Sequence, residues 1–351
     1  MKKLFILCAV LLTACGGHSP KGACVAMDTL YAPRYATHFV VLGGGDSVVL
    51  RVNNPYQGAS GVSYDYTLGD AQRVVCMSSS HAAFLDTLGV GDRVVGVSAP
   101  DYYTNARFAR LPDVGYDQSL NVEKIAALKP DILTAYALSS EKNPMFEKIK
   151  NFGVKTLYVA DYLEDNPLAR AEWVVAFGAI SGQMKQSEAI FRGVEAAYNM
   201  LKDSVQRLGL APRSVMLNSP YKGVWYLPGD SSYMVRLITD AGGRYVAAGK
   251  GDNVSHAVST EVAYAHLLQA QVWLSPSANI TTRAQMLKES ELFRNVKIPI
   301  YNNTSRGGKA GGSDFWESGV LRADIVLGDL VRIMHPEILP AHKLYYYKEL
   351  R

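Results

Sequence analysis

The residues with chemical reach in this chain fall into two sets. The first holds Ser78-Ser79-Ser80-His81, Asp101-Tyr102-Tyr103, Tyr116, Tyr136 and Asp161-Tyr162. The second holds Trp225-Tyr226, Arg283, Asn302-Asn303, Arg306 and Trp316. Phenols and indoles dominate, and charges are few. Ring faces cover apolar area while phenol tips reach peripheral oxygens, which is the chemistry of holding a large flat ligand. Arg283 and Arg306 would add a preference for an anionic one. Each residue has a plainer use. A lone Tyr, or Trp225 on a strand, serves a core equally well; His81 opens a helix after a Ser run; either Arg serves as solvated surface.

Bond-making chemistry has less support, and no catalytic residue is assigned. The chain lacks a GxSxG elbow, a P-loop and an HExxH motif. Gly89-Val90-Gly91-Asp92-Arg93-Val94-Val95-Gly96 has the wrong final spacing for a dinucleotide loop and reads as a helix end running into a strand. His38, His81, His256, His266, His335 and His342 form no HxH pair, and no CxxC exists, so no metal site and no cofactor is expected. The net charge of +4 comes without a Lys/Arg block, which argues against nucleic acid.

The elements that must carry these residues follow from periodicity. Residues 38–70 alternate, with Gly and Asn-Pro punctuation, and predict a β-hairpin and a further strand near Val62–Leu68. From Val74 short apolar strands alternate with helices, which implies a parallel sheet under helices. The stretch 182–208 carries Ile190, Val194, Ala197, Leu201, Val205 and Leu208 on one face. At 1.5 Å per residue it makes a rod of roughly 40 Å, long enough to join two lobes. The second half repeats the alternation and ends in a helical tail from about Ser318 to His335. Asn121–Tyr136 and Ser259–Ser275 echo each other as helix, break and strand. At 351 residues, 48% hydrophobic and 19% charged, the chain suits two globular lobes. The expectation is an α/β protein with two Rossmann-like lobes joined by one long rigid helix. Its divisions are 1–15 leader, 16–70 tether and β-rich extension, 71–181 first lobe, 182–210 connecting helix and 211–351 second lobe. Ligands in open α/β sheets sit beyond the carboxyl ends of the strands, where both residue sets fall.

The leader has its own logic. Lys2-Lys3, an apolar run to Leu12, and Thr13-Ala14-Cys15-Gly16-Gly17 read as a secretory signal, too short to span a bilayer. Leu12-Thr13-Ala14-Cys15 resembles a bacterial lipobox, which implies cleavage before Cys15, a lipidated Cys15 and a membrane anchor. Of the other cysteines, Cys8 leaves with the leader. Cys24 and Cys76 could pair outside the cytoplasm, but Cys76 in Val74-Val75-Cys76-Met77 reads better as a small buried hydrophobe.

From about Ala71 onward the chain resembles the bacterial periplasmic substrate-binding proteins that serve ABC importers of ferric siderophores, haem and cobalamin. The matching pieces are Val74–Ser80, Leu88-Gly89-Val90-Gly91-Asp92-Arg93-Val94-Val95-Gly96-Val97 and Asn121-Val122-Glu123-Lys124-Ile125-Ala126-Ala127-Leu128-Lys129-Pro130-Asp131-Ile132-Leu133. The extension is similar to those of Bacteroidetes members. The resemblance implies a monomeric receptor holding a chelate between its lobes and delivering it to an inner-membrane permease and ATPase. It implies permease docking through one acidic residue per lobe: Glu261 in Val258-Ser259-Thr260-Glu261 and Glu141 after the strand Asp131–Tyr136. The ligand-contacting expectation covers Ser79, Ser80, His81, Tyr102, Tyr103, Tyr136, Tyr162, Trp225, Tyr226, Arg283 and Arg306. A ferric siderophore leads, with haem and cobalamin left open: basic residues favour an anionic iron chelate, while abundant aromatics favour cobalamin.

Overall fold

A computed structural model describes residues 27–351 apart from 117, 138–143, 248, 250, 276, 278, 279 and 309. Cys15, Cys24 and Glu141 lie outside the described residues.

The chain opens with an antiparallel sheet of β1 (Asp28–Tyr31), β2 (Phe39–Gly44), β3 (Ser47–Asn53) and β4 (Ser63–Leu68), in that spatial order. The structure corrects the expected tether, because residues from Asp28 onward are already built in. Two carboxylates do this. Glu172, fully buried, accepts from the Tyr31 hydroxyl at 2.7 Å and from the backbone N–H groups of Arg34, Tyr35 and Ala36 at 2.7–2.8 Å. Glu164 accepts from the N–H groups of Thr37 and His38. A segment without strand partners thus satisfies its amides on side chains. At the sheet's far edge, the Tyr66 hydroxyl accepts from the Tyr158 N–H at 3.2 Å and Lys155 Nζ donates to the Thr67 carbonyl. The extension therefore covers an edge strand of the first lobe.

That lobe contains β5 (Val74–Cys76), α1 (Ser79–Thr87), β6 (Val94–Val97), α2 (Val122–Leu128), β7 (Ile132–Ala135), α3 (Pro144–Asn151) and β8 (Lys155–Tyr158). Its sheet is parallel, ordered β6-β5-β7-β8. Two helices follow. α4 (Pro167–Ile180) is buried along nearly its whole length, and α5 (Met184–Leu208) is the long connecting helix. α5 begins and ends within two residues of expectation, closed by Gly209 at φ 56°. Its buried stripe is Phe191, Val194, Tyr198 and Val205, rotated from the expected face, and Leu208 is exposed.

The second lobe runs β9 (Arg213–Leu217), β10 (Pro220–Tyr221), β11 (Val224–Leu227), α6 (Tyr233–Asp240), β12 (Gly243–Tyr245), β13 (His256–Ser259), α7 (Thr260–Leu267), β14 (Val272–Leu274), α8 (Arg283–Lys288) and β15 (Ile300–Asn302). α9 (Ser318–Leu321), α10 (Ala323–Met334) and β16 (Lys348–Glu349) complete it. The main sheet is ordered β12-β9-β14-β15-β16, parallel except for β16. Its first four strands repeat the first lobe's 2-1-3-4 order, so the echo in the sequence is a topological repeat. β10, β11 and β13 form a separate small antiparallel sheet, which corrects the placement of Val224–Leu227 in the main sheet's alternation. The expected tail helix is broken at Arg322 (φ −88°, ψ 52°) into α9 and α10.

One apolar core runs from Val74 and Phe84 through Trp173, Phe177 and Phe191 to Leu237 and Val331. α4, α5 and α10 carry it across the junction. A large apolar junction of this kind restricts relative lobe motion more than a lone connecting rod does.

Candidate functional site

In a 2-1-3-4 sheet the strand order reverses between the first and third strands, and the crevice beyond their carboxyl ends is the natural ligand position. In the first lobe this lies beyond β5 and β7, in the second beyond β9 and β14. The first wall presents Ser78 and Ser79 after β5, Tyr102 after β6, Tyr136 after β7 and Tyr162 after β8. Ser79 is half-buried and Tyr102 is 52% exposed. Tyr136 and Tyr162 meet edge to face, their centroids 6.4 Å apart. The Tyr162 hydroxyl donates to the Ala137 carbonyl, and burial pushes its pKa up to about 12, so it stays a neutral donor–acceptor.

Behind this wall, several expected contacts are packed away. Ser80 is buried and donates to Asp161 Oδ2 at 3.1 Å. His81 has no exposed surface. Its Nδ1 lies 3.0 Å from Thr134 Oγ1, and Nε2 lies 4.0 Å from Asp161 Oδ1. Burial lowers the imidazole's pKa, with Asp161 opposing. Tyr103 is buried edge-on to Phe108, and burial raises its pKa. Ser80, His81 and Tyr103 are thus wall interior rather than wall surface.

In the second lobe Trp225 is corrected most sharply. It is fully buried, stacked on Trp273 at 5.5 Å, with Nε1 donating to the Leu217 carbonyl. The adjacent Tyr226 points the other way and is 48% exposed, as strand alternation requires. Arg283 is also corrected. Its guanidinium donates to the carbonyls of Val296 and Ile298, and its N–H donates to the Arg351 carbonyl. These groups lie at the amino end of β15, opposite the crevice. Arg306 follows β15 at the correct end but is neutralised by Asp314 at 2.7 Å and lies over the Tyr345 ring. Trp316 is 44% exposed and Tyr116 is 54% exposed. Asn302 is buried and donates to the carbonyls of Ser277 and Ile280.

Three contacts between the walls were missed in the sequence. Glu317 accepts from Thr104 N–H at 2.6 Å and Thr104 Oγ1 at 3.0 Å. A Cβ on Gly312 would overlap the Tyr102 carbonyl, so the 303–317 loop and the 99–105 loop cross with backbone nearly touching. Arg170, at the start of α4, donates to the carbonyls of Glu164 and Tyr162 and lies 4.1 Å over the Tyr233 ring of the second lobe. The signal for Arg170 was a cation inside the apolar run Pro167–Ile180. An open groove of about 770 Å³ beside α2 and α3, lined by Leu120, Glu123, Met145 and Phe152, is away from both walls. The crevice is assigned from strand topology.

Glu261 is exposed in the first turn of α7, under the Ser259 N-cap. A hydrogen bond from Ser259 holds its carboxyl below the usual range, with its own N–H adding to this. In the repeat α7 corresponds to α2, so its first-lobe counterpart is Glu123, in the first turn of α2 under the Asn121 cap. Glu141, which precedes α3, is not the equivalent position.

Residues 74–298 match the model of the family described as periplasmic binding protein. The chain belongs to the periplasmic binding protein family. It is 24% identical over 225 residues to an uncharacterized ABC transporter substrate-binding lipoprotein of Bacillus subtilis, covering 63% of this chain and 67% of that one. It is 33% identical over 98 residues to a vitamin B12-binding protein of Pectobacterium carotovorum subsp. carotovorum, covering 27% of this chain and 34% of that one. In fold it is similar to a periplasmic haem-binding protein from Pseudomonas aeruginosa. The TM-score is 0.62 at 18% identity, across 80% of this chain and 98% of that one. This periplasmic binding protein thus has the expected two-lobed α/β class, with an N-terminal antiparallel sheet added.

Proposed function

We propose that this periplasmic binding protein is the extracytoplasmic substrate-binding component of an ABC importer, capturing a metal chelate between its lobes and handing it to the permease. The observation that carries the reading is the pair of repeated sheets whose carboxyl-end loops cross, with Glu317 accepting from Thr104 and Gly312 against the Tyr102 carbonyl, within a family of transport receptors. Ser79, Tyr102, Tyr136, Tyr162 and Tyr226 supply ring faces and hydroxyls there, suited to a broad, oxygen-rimmed chelate. A ferric-siderophore-type complex or haem is the leading ligand class. The local likeness to a vitamin B12-binding protein supports a corrinoid as the second reading. The family's transport role supports a ligand that is passed on unchanged.

The receptor is anchored through a lipid on Cys15, which supports delivery to an inner-membrane permease and ATPase without diffusion away from the membrane. Capture is monomeric, one ligand per chain. Glu261 and one acidic residue of the first lobe dock the permease. Fractionation of cells making the wild type and Cys15→Ser, combined with an uptake assay, tests the anchored-receptor reading. The wild type is expected in the membrane fraction with a lipid mass, and Cys15→Ser in the soluble fraction with reduced uptake. Wild type found wholly soluble, or uptake that survives deletion of the receptor, contradicts it.

A further inference from the structure

We propose that Arg170 is a fixed anion receptor at the floor of the crevice, taking a carboxylate or comparable anionic arm of the bound chelate. This rests on the receptor reading above and adds to it the ligand's charge and the residue that meets it.

Arg170 lies where the two walls join. It follows the loop beyond β8 that carries Tyr162, and its guanidinium sits 4.1 Å over the ring of Tyr233, which opens α6 at the carboxyl end of the second sheet. Nε donates to the Glu164 carbonyl at 2.9 Å and Nη2 to the Tyr162 carbonyl at 2.8 Å. These bonds hold the fork in one orientation without neutralising it, since both partners are uncharged. Among the described residues Arg170 forms no ion pair, whereas Arg306, Arg322 and Arg93 are each paired with an aspartate. Of the acids close to it in sequence, Glu172 directs its carboxylate to the amides of Arg34, Tyr35 and Ala36, Glu164 to those of Thr37 and His38, and Asp161 to Ser80 and His81. A half-buried arginine held by carbonyls and a ring, with Nη1 left over, is a pre-organised donor for an oxyanion.

A second feature agrees. Among the described residues, Ser232, which precedes α6, has a buried hydroxyl without a partner, and no side chain caps that helix. The positive end of α6 and the free edge of Arg170 therefore meet at Tyr233. Arg283 is at the far end of its sheet and Arg306 is already paired. Of Arg170, Arg283 and Arg306, Arg170 is the one placed to confer a preference for anionic chelates.

The test uses the soluble chain lacking residues 1–15 and three probes: haemin, its dimethyl ester and ferric citrate. Affinity is read by quenching of intrinsic fluorescence for wild type, Arg170→Gln and Arg170→Lys, with thermal unfolding as the check on folding. Arg170→Gln is expected to weaken haemin or ferric citrate at least tenfold, to leave the ester within about twofold, and to be partly rescued in Arg170→Lys. Equal loss for haemin and ester, or no loss for either anionic probe, overturns the assignment while leaving the receptor reading intact. If Arg170→Gln unfolds, the wild-type preference for haemin over its ester and the Arg170→Lys affinities decide in the same way. A folded wild type that binds none of the three overturns this assignment, and binding of a ferric siderophore or cyanocobalamin by the same protein then decides the receptor reading separately.

Discussion

His81 has the residue type of a ligand contact and the surroundings of a core residue. Its ring packs against Phe177 and Thr134 and faces Asp161, with no exposed surface. Burial lowers its folded pKa below the ordinary value near 6.5, so the unfolded chain binds a proton first as pH falls. His81 therefore contributes stability above about pH 6.5 that is lost progressively as pH falls toward the lowered folded value. Glu164 and Glu317 are raised by burial and act with the opposite sign, since their contribution is lost as pH rises through their folded values. Comparing wild type with His81→Gln isolates the histidine. Urea unfolding at pH 7.5 and 5.5 should show wild type losing more stability on acidification than the variant; equal losses would show that His81 does not titrate on unfolding. Cys76 gives a simpler test. Its thiol is fully buried and its pKa is pushed up to about 12, so it should resist thiol reagents until the protein unfolds. At this scale the residue types were legible and the exposures were not. Trp225 and Tyr226 are neighbours on one strand and point to opposite faces, so both could not face a ligand. Deciding which one did required the partner sheet, which no local pattern contains.

The Glu172 clamp shows how an element-level feature escapes the sequence. A glutamate in the apolar run Pro167–Ile180 is visible as an anomaly, but its partners are the amides of Arg34, Tyr35 and Ala36, more than a hundred residues away. Sequence alone therefore leaves the tether and β-rich extension without a partner, whereas the extension is fastened to α4 and covers the β8 edge. Glu172→Ala leaves three backbone N–H groups and the Tyr31 hydroxyl without their acceptor. The expected cost is about 3 kcal/mol or more in urea unfolding. Limited proteolysis should then cut first between Tyr31 and His38. A loss below about 1 kcal/mol with unchanged proteolysis would contradict the clamp. The long connecting helix was legible because its period and length need no partner, while its buried face was offset because Phe191 and Tyr198 outweigh Ile190 and Ala197 in packing. The strand–helix alternation was legible for the same reason. The small sheet of β10, β11 and β13 was not, because short antiparallel pairs carry no strong local signature.

Across the whole molecule, the repeat of strand order 2-1-3-4 in both lobes defines the crevice, and a continuous core through α4, α5 and α10 holds the lobes together. Permease docking should use charges on the outer faces of both lobes. Glu261→Arg is expected to impair uptake in reconstituted vesicles while moving ligand affinity by less than about tenfold, or 1.4 kcal/mol. The repeat assigns its counterpart to Glu123, while the family resemblance points to Glu141. Whichever reversal combines with Glu261→Arg to give the greater uptake defect identifies the first-lobe contact, and normal uptake in every variant would remove the docking role. The most direct measurement is native mass spectrometry of the soluble chain lacking residues 1–15, mixed with a ferric siderophore, haemin or cyanocobalamin. One crevice per chain predicts a single 1:1 complex with at least one of these chelates and no second binding event. A folded protein that retains none of them, or that binds several copies with no preferred stoichiometry, would contradict the account.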